Sequence, residues 1–190
     1  MGYSKKKKDL RKKQPEKSLF TRIQLMWTMK LPVIFFVLGF IVLMVLFYVF
    51  WLSDFCQNQV EPHIVSVNAR LSSFILRLFG MGTVARNETI SSSACSVNIA
   101  KGCDAMEAMA LYASALLAFP ARWKFKLVGL GIGLAMLFAL NILRVTSLFF
   151  TGVYFPKAFE FMHVEVWQIL FILFAIGLWI FWIKWTRKGE

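Results

Sequence analysis

Residues 127–150 read LVGLGIGLAMLFALNILRVTSLFF, apolar or small throughout except at Asn141, Arg144, Thr146 and Ser147. A bilayer core about 30 Å thick takes about 20 such residues as a helix, so this run predicts a membrane span. It also carries Arg144, and an arginine at the centre of a membrane helix costs about 2.5–3.5 kcal/mol on insertion scales. A charge held at that cost is a functional-site hypothesis by default. Two further reactive side chains, Cys103 and His163, stand at the ends of the neighbouring apolar runs.

Working outward, Leu31–Leu52 supplies a first span almost without polar interruption. Cys103–Phe119 supplies a shorter, alanine-rich second, stopped by Pro120. The third runs over Lys126–Phe150 and the fourth over Val164–Trp185. The fold class is an all-α membrane protein, a four-span helix bundle. The 190-residue chain is 58% hydrophobic, above the roughly 45–50% apolar usage of soluble proteins. That composition favours one compact membrane domain over several soluble ones.

The net charge of +12 is concentrated in the first thirty or so residues, from Lys5 to Lys30. A basic arm can read as a nucleic-acid contact. Directly before a span it reads as topogenic, with attraction to anionic headgroups, and no nucleic-acid partner is expected. This arm, the Arg122–Lys126 turn and the Lys184–Lys188 tail all fall on one side, which the positive-inside rule makes cytoplasmic. Both termini are then cytoplasmic. The first apolar run is too long for a signal peptide's core and lacks a small-residue cleavage site, so it reads as a retained anchor.

The segment between the first two spans faces outward. Ile64, Val67, Leu71, Phe74, Ile75 and Leu78 recur at helical spacing, predicting an interfacial helix lying at the membrane surface, ended by Gly80 and Gly82. Thr83–Ile90 and Ala94–Ala100 predict a short β-hairpin around Ser91–Ser93. Asn87-Glu88-Thr89 matches a glycosylation acceptor but reads as a chance match in a polar hairpin. Three cysteines, Cys56, Cys95 and Cys103, are too few for a disulfide framework; a Cys56–Cys95 bridge is open geometrically and required by nothing.

With that topology Cys103 opens the second span from outside and His163 the fourth. Arg144 lies about 9 Å below the outer end of the third, at 1.5 Å per residue. Thiol, guanidinium and imidazole thus share one outward-facing depth, which suits nucleophilic chemistry. A helix N-terminus or a nearby cation lowers a thiol's pKa. An imidazole can take the proton and return it to a leaving amine. Arg144 either activates the thiol or holds an oxyanion. Asn141, one turn before it, orients the guanidinium or adds a donor, and Glu107 pairs with Arg144 or positions His163.

Each residue also has a structural reading: Cys103 as a small packing residue, His163 as an interfacial one, Arg144 with Glu107 as an ion pair fixing helix register. Under that alternative the protein is a non-enzymatic membrane assembly factor. A small anion transporter is disfavoured, because the spans show neither an inverted repeat nor paired helix breaks. Gly129 and Gly133 form the small-residue packing pattern of membrane helices. Two histidines and scattered cysteines lack metal-ligand spacing, so neither metal nor cofactor is expected.

The runs Gly102-Cys103-Asp104-Ala105-Met106-Glu107-Ala108, Leu117-Ala118-Phe119-Pro120 and Asn141-Ile142-Leu143-Arg144, with His163 and Trp167-Gln168, resemble the exosortase/archaeosortase family, and most closely its exosortase H subgroup. The resemblance covers roughly Leu78 to Trp182. Many members carry Cys-Ser-Gly or a glycine two residues after the nucleophile; Asp104-Ala105 stands here instead, as suits the smaller subgroup. The resemblance implies a membrane-embedded cysteine protease or transpeptidase with Cys103, Arg144 and His163 as its catalytic set, and Asn141 and Glu107 in support. It further implies partner proteins with a C-terminal sorting signal (a short motif, a transmembrane helix and a basic cluster), and a multi-pass protein of a bacterial inner membrane whose site faces the periplasm. The chain then divides into a basic cytoplasmic arm (1–30), a transmembrane anchor (31–52), an outer segment (53–102), a three-span catalytic core (103–185) and a cytoplasmic tail (186–190).

Overall fold

The computed structural model describes residues 19–93, 95–99 and 104–188, with side chains from residue 31 onward. Helix α1 covers Leu19–Trp51, and so begins inside the stretch assigned to the basic arm. A π-helical turn, Cys56–Val60, leads into α2, Glu61–Leu78. Three short strands follow: β1 Val84–Arg86, β2 Thr89–Ser91 and β3 Ser96–Asn98. Helix α3 spans Met106–Ala118 and α4 Trp123–Tyr154. A 3-10 turn at Pro156–Ala158 and a π-helical turn at Phe161–Val166 join α4 to α5, Trp167–Lys188.

Among the described residues, three helical stretches are long and apolar enough to cross a membrane: Leu31–Trp51, Trp123–Tyr154 and Phe161–Lys188. The expected second span, Cys103–Phe119, is helical only from Met106, and its 13 residues make about 20 Å, short of a core of about 30 Å. Its start is set locally. The Asp104 carboxylate accepts the Met106 N–H at 3.2 Å, and Ala105 sits in the left-handed region at φ 65°, so the helix cannot extend backwards. Its end is set by Pro120, which holds Phe119 extended at ψ 135°.

One end of the bundle is aromatic and basic. Phe36 of α1 stacks on Trp179 of α5 at 5.9 Å, and Phe119 meets Trp179 and Trp182 edge-on at 6.2 and 5.7 Å. The Trp182 indole donates to the Phe125 carbonyl (2.9 Å), and Lys126 Nζ to the Leu117 carbonyl at the end of α3 (2.6 Å). That last bond satisfies a carbonyl the helix itself cannot. Gly129 and Gly133 let α4 approach closely: a Cβ at Gly133 would fall within the Tyr112 ring, and one at Gly129 would meet Trp182 and Leu116.

The far half of α4 is covered by α2 and the sheet, around Val65, Ala69, Leu76, Ile90, Val145 and Phe149. Asn68 meets Asn141 and Phe79 meets Phe150, so α2 runs lengthwise beside α4. Most of the expected apolar stripe faces away: Val67, Leu71, Phe74 and Leu78 are exposed and Ile64 and Ile75 half-buried, while Val65, Asn68, Ala69, Ser72, Ser73 and Leu76 are buried. Small residues face the neighbouring helix because they admit close backbone approach, as at membrane helix contacts generally.

Its end agrees with expectation, at Leu78 before Gly80 (φ 80°). The expected hairpin is a three-stranded antiparallel meander, because Asn87 at φ 52° turns the chain within the first expected strand and pairs Arg86 with Thr89.

Candidate active site

Helix α4 rises from Trp123 for 32 residues, about 48 Å at 1.5 Å per residue. A core of about 30 Å counted from Trp123 ends near Leu143, which sets Arg144 at its far boundary. Arg144 lies ten residues before Tyr154, about 15 Å from the helix end rather than 9 Å, because the helix continues past Phe150 beneath α2. The guanidinium carbon stands 5.6 Å from the centre of the Phe171 ring on α5, a cation–π geometry that offsets part of its desolvation.

A cavity of about 540 Å³ opens beside it, with Ala105, Glu107, Arg144 and Gln168 at its polar end. His163 lies on the π-helical turn entering α5, half-buried, its ring 5.8 Å from that of Phe159. The charges of Arg144 and Glu160 both act on this imidazole. Arg144 and His163 are therefore brought into one electrostatic neighbourhood, and π-helical turns of this sort are common at functional sites. Cys103 lies outside the described residues. Its successor Asp104 is 2% exposed, and Ala105 lines the cavity with Arg144. A non-glycine residue in the left-handed region costs about 1–2 kcal/mol, and such strain clusters at functional sites.

Asn141 is fully buried and hydrogen-bonded to Asn68 of α2 at 3.3 Å. Asn68 is itself oriented by donating to the Ile64 carbonyl at 3.2 Å. That carbonyl can only accept, so Asn68 turns its oxygen to Asn141, and Asn141 turns its NH2 to Asn68. The group Asn141 presents elsewhere is its carbonyl oxygen, which has no partner among the described residues. It is fitted to orient a donor such as a guanidinium rather than to add one.

Glu107, although it lies within the expected second span, is exposed at the cavity. Among the described residues the buried carboxylates are Glu61, 4% exposed, and Asp104. Burial pushes the Asp104 carboxyl above the usual range, with the negative charges of Glu61 and Glu107 adding to it and the Met106 N–H opposing. Neither was singled out from sequence, although Asp104 directly follows Cys103. Cys56 and Cys95 carry free thiols, so the bridge left open between them is not formed.

A family model described as transmembrane exosortase matches residues 19–183. The chain belongs to the transmembrane exosortase family. The match bears out the resemblance carried by the motifs around Cys103, Arg144 and His163, and it extends from α1 through almost all of α5. Neither the curated proteins nor the solved structures gave a match. Exosortases are membrane-embedded proteins that act on substrate proteins bearing sorting signals, and three long apolar helices fit a multi-pass member of that family.

Proposed function

We propose that this exosortase is a cysteine transpeptidase or protease that cleaves C-terminal sorting signals through an acyl-enzyme on Cys103. The Cys103 thiol gives its proton to His163 and the thiolate attacks the scissile carbonyl carbon. Arg144 favours the thiolate or holds the oxyanion that forms on the carbonyl oxygen. Collapse of that intermediate breaks the C–N bond, with the proton passing from His163 to the departing amine. The resulting thioester is released by water or by an acceptor nucleophile that loses its own proton to His163. Asn141 and Glu107 support the site, Asn141 by orienting the guanidinium.

The observation that supports this reading is that Arg144 lines a cavity together with Ala105 of the turn that follows Cys103, while its charge acts on the imidazole of His163 on the turn entering α5. The strained Ala105 after it fits a chain held in one particular course there. Helix α3 serves as a fourth, shorter pass, since Phe119 lies level with Phe36 and Trp182 at the basic end. The basic end, with Arg122, Lys124, Lys184 and Arg187, takes the cytoplasmic side of a bacterial inner membrane, and the site faces the periplasm. The test is processing of a co-expressed tagged substrate: Cys103→Ala abolishes it, and processing at the wild-type rate refutes the mechanism.

A further inference from the structure

Below Arg144 the cavity continues as a slot walled by α1 and α5 and floored by α3. Phe40 stands on one wall, Ile172 and Ile176 on the other, and Ala108, Leu111 and Ala115 form the floor. The two walls touch where Phe36 stacks on Trp179, and this contact closes the slot's lower end. From Ala105 to Ala115 along α3 is ten residues, and from Gln168 to Trp179 along α5 eleven, so both measure its length as about 15–16 Å. Interiors seldom hold voids larger than a water molecule, whereas about 540 Å³ lies within the range of ligand pockets, about 300–1,000 Å³.

Two features decide the occupant. The floor is small at Ala105, Ala108 and Ala115, which admit close approach of a helix beside Leu111 and Tyr112. Meanwhile Leu111 of the floor and Ile172 and Ile176 of the wall are 44–51% exposed, leaving apolar surface that no described residue covers. The polar end offers a cation at Arg144, a carboxylate at Glu107 and an amide at Gln168. That mixture complements a peptide group, which both donates and accepts, and the exposed carboxylate opposes an anionic headgroup.

We propose that this slot is the lateral docking site for the apolar segment of the substrate's sorting signal, entering from the bilayer between α1 and α5. The slot receives the outer half of that segment and so brings the peptide bond before it level with Arg144. This rests on the catalytic reading above, and the following experiment separates the two.

Ala108→Phe and Ala115→Phe each fill the slot without touching the reactive groups, with Leu173→Phe, which does not line the slot, as control. The slot variants are expected to lower processing of the tagged substrate at least tenfold while alkylation of Cys103 by a small maleimide stays within about twofold of wild type, and the control to leave both unchanged. A photo-crosslinker at Ile172, in a Cys103→Ala background that holds substrate uncleaved, is expected to label the apolar segment of the signal. Wild-type processing by both slot variants, or crosslinks to lipid alone, overturns the proposal. If Cys103→Ala processes normally while the crosslink persists, the catalytic reading fails and the docking site stands.

Discussion

Gly133→Ala adds one methyl group at the closest approach of α3 and α4, and the structure states what that methyl would strike. Its Cβ would enter the ring of Tyr112, a side chain only 4% exposed whose hydroxyl donates to the Gly129 carbonyl at 3.0 Å. Either the ring moves and that hydrogen bond is lost, at about 0.5–1.5 kcal/mol, or the helices part. Overpacking of this kind costs about 1–3 kcal/mol, and the helix preference of alanine over glycine returns up to about 1 kcal/mol. A net loss of up to about 2 kcal/mol follows when the full helix preference is returned. Gly131, two residues away, has nothing within 4 Å of its would-be Cβ, so Gly131→Ala is expected to be neutral or slightly stabilising. Reversible unfolding in mixed micelles, reading the midpoint for both variants and wild type, measures the difference. If Gly133→Ala is as stable as Gly131→Ala, the close α3–α4 contact is wrong.

Two further predictions follow from buried groups. Because Asn68 accepts a hydrogen bond from Asn141 and Asn141 is proposed to orient the guanidinium, Asn68→Ala is expected to lower turnover on the order of tenfold, about 1.4 kcal/mol, with KM within about twofold. In an Asn141→Ala background the same change should add little; full additivity of the two in a double-mutant cycle would remove the coupling. For Cys56, burial pushes the thiol up and the Glu61 carboxylate adds to it, so the thiolate forms only above the usual thiol range. Alkylation of the folded protein at pH 8 should spare Cys56 and reach it on denaturation, and rapid modification in the folded state would contradict its placement.

The parts legible in the sequence were those decided by local composition. Helices α1, α4 and α5 follow from long apolar runs, the end of α3 from Pro120, the end of α2 from Gly80, and the α3–α4 contact from the Gly129 and Gly133 spacing. Arg144 was legible because a charge within an apolar run is costly wherever the helix packs. What periodicity inverted was the packing of α2. The stripe marks the helix correctly, yet Val67, Leu71, Phe74 and Leu78 face away, because α2 buries Asn68, Ala69, Ser72 and Ser73 together with Val65 and Leu76. Burial of carboxylates was equally hidden. Glu107 is open to the cavity while Glu61 and Asp104 are enclosed, and that depends on how α2 and the turn before α3 meet α4 rather than on neighbours in sequence. The hydrogen bond between Asn68 and Asn141 likewise arises only from tertiary placement.

The most direct test of the account is to trap the acyl-enzyme. The purified exosortase is incubated with a substrate-like peptide, quenched in acid, digested and mapped by mass spectrometry. The account predicts a thioester on Cys103 carrying the N-terminal part of the peptide, formed in the wild type and lost or much slowed in His163→Ala. Turnover of the peptide with no adduct on Cys103, or an adduct that forms as fast without His163, would contradict it.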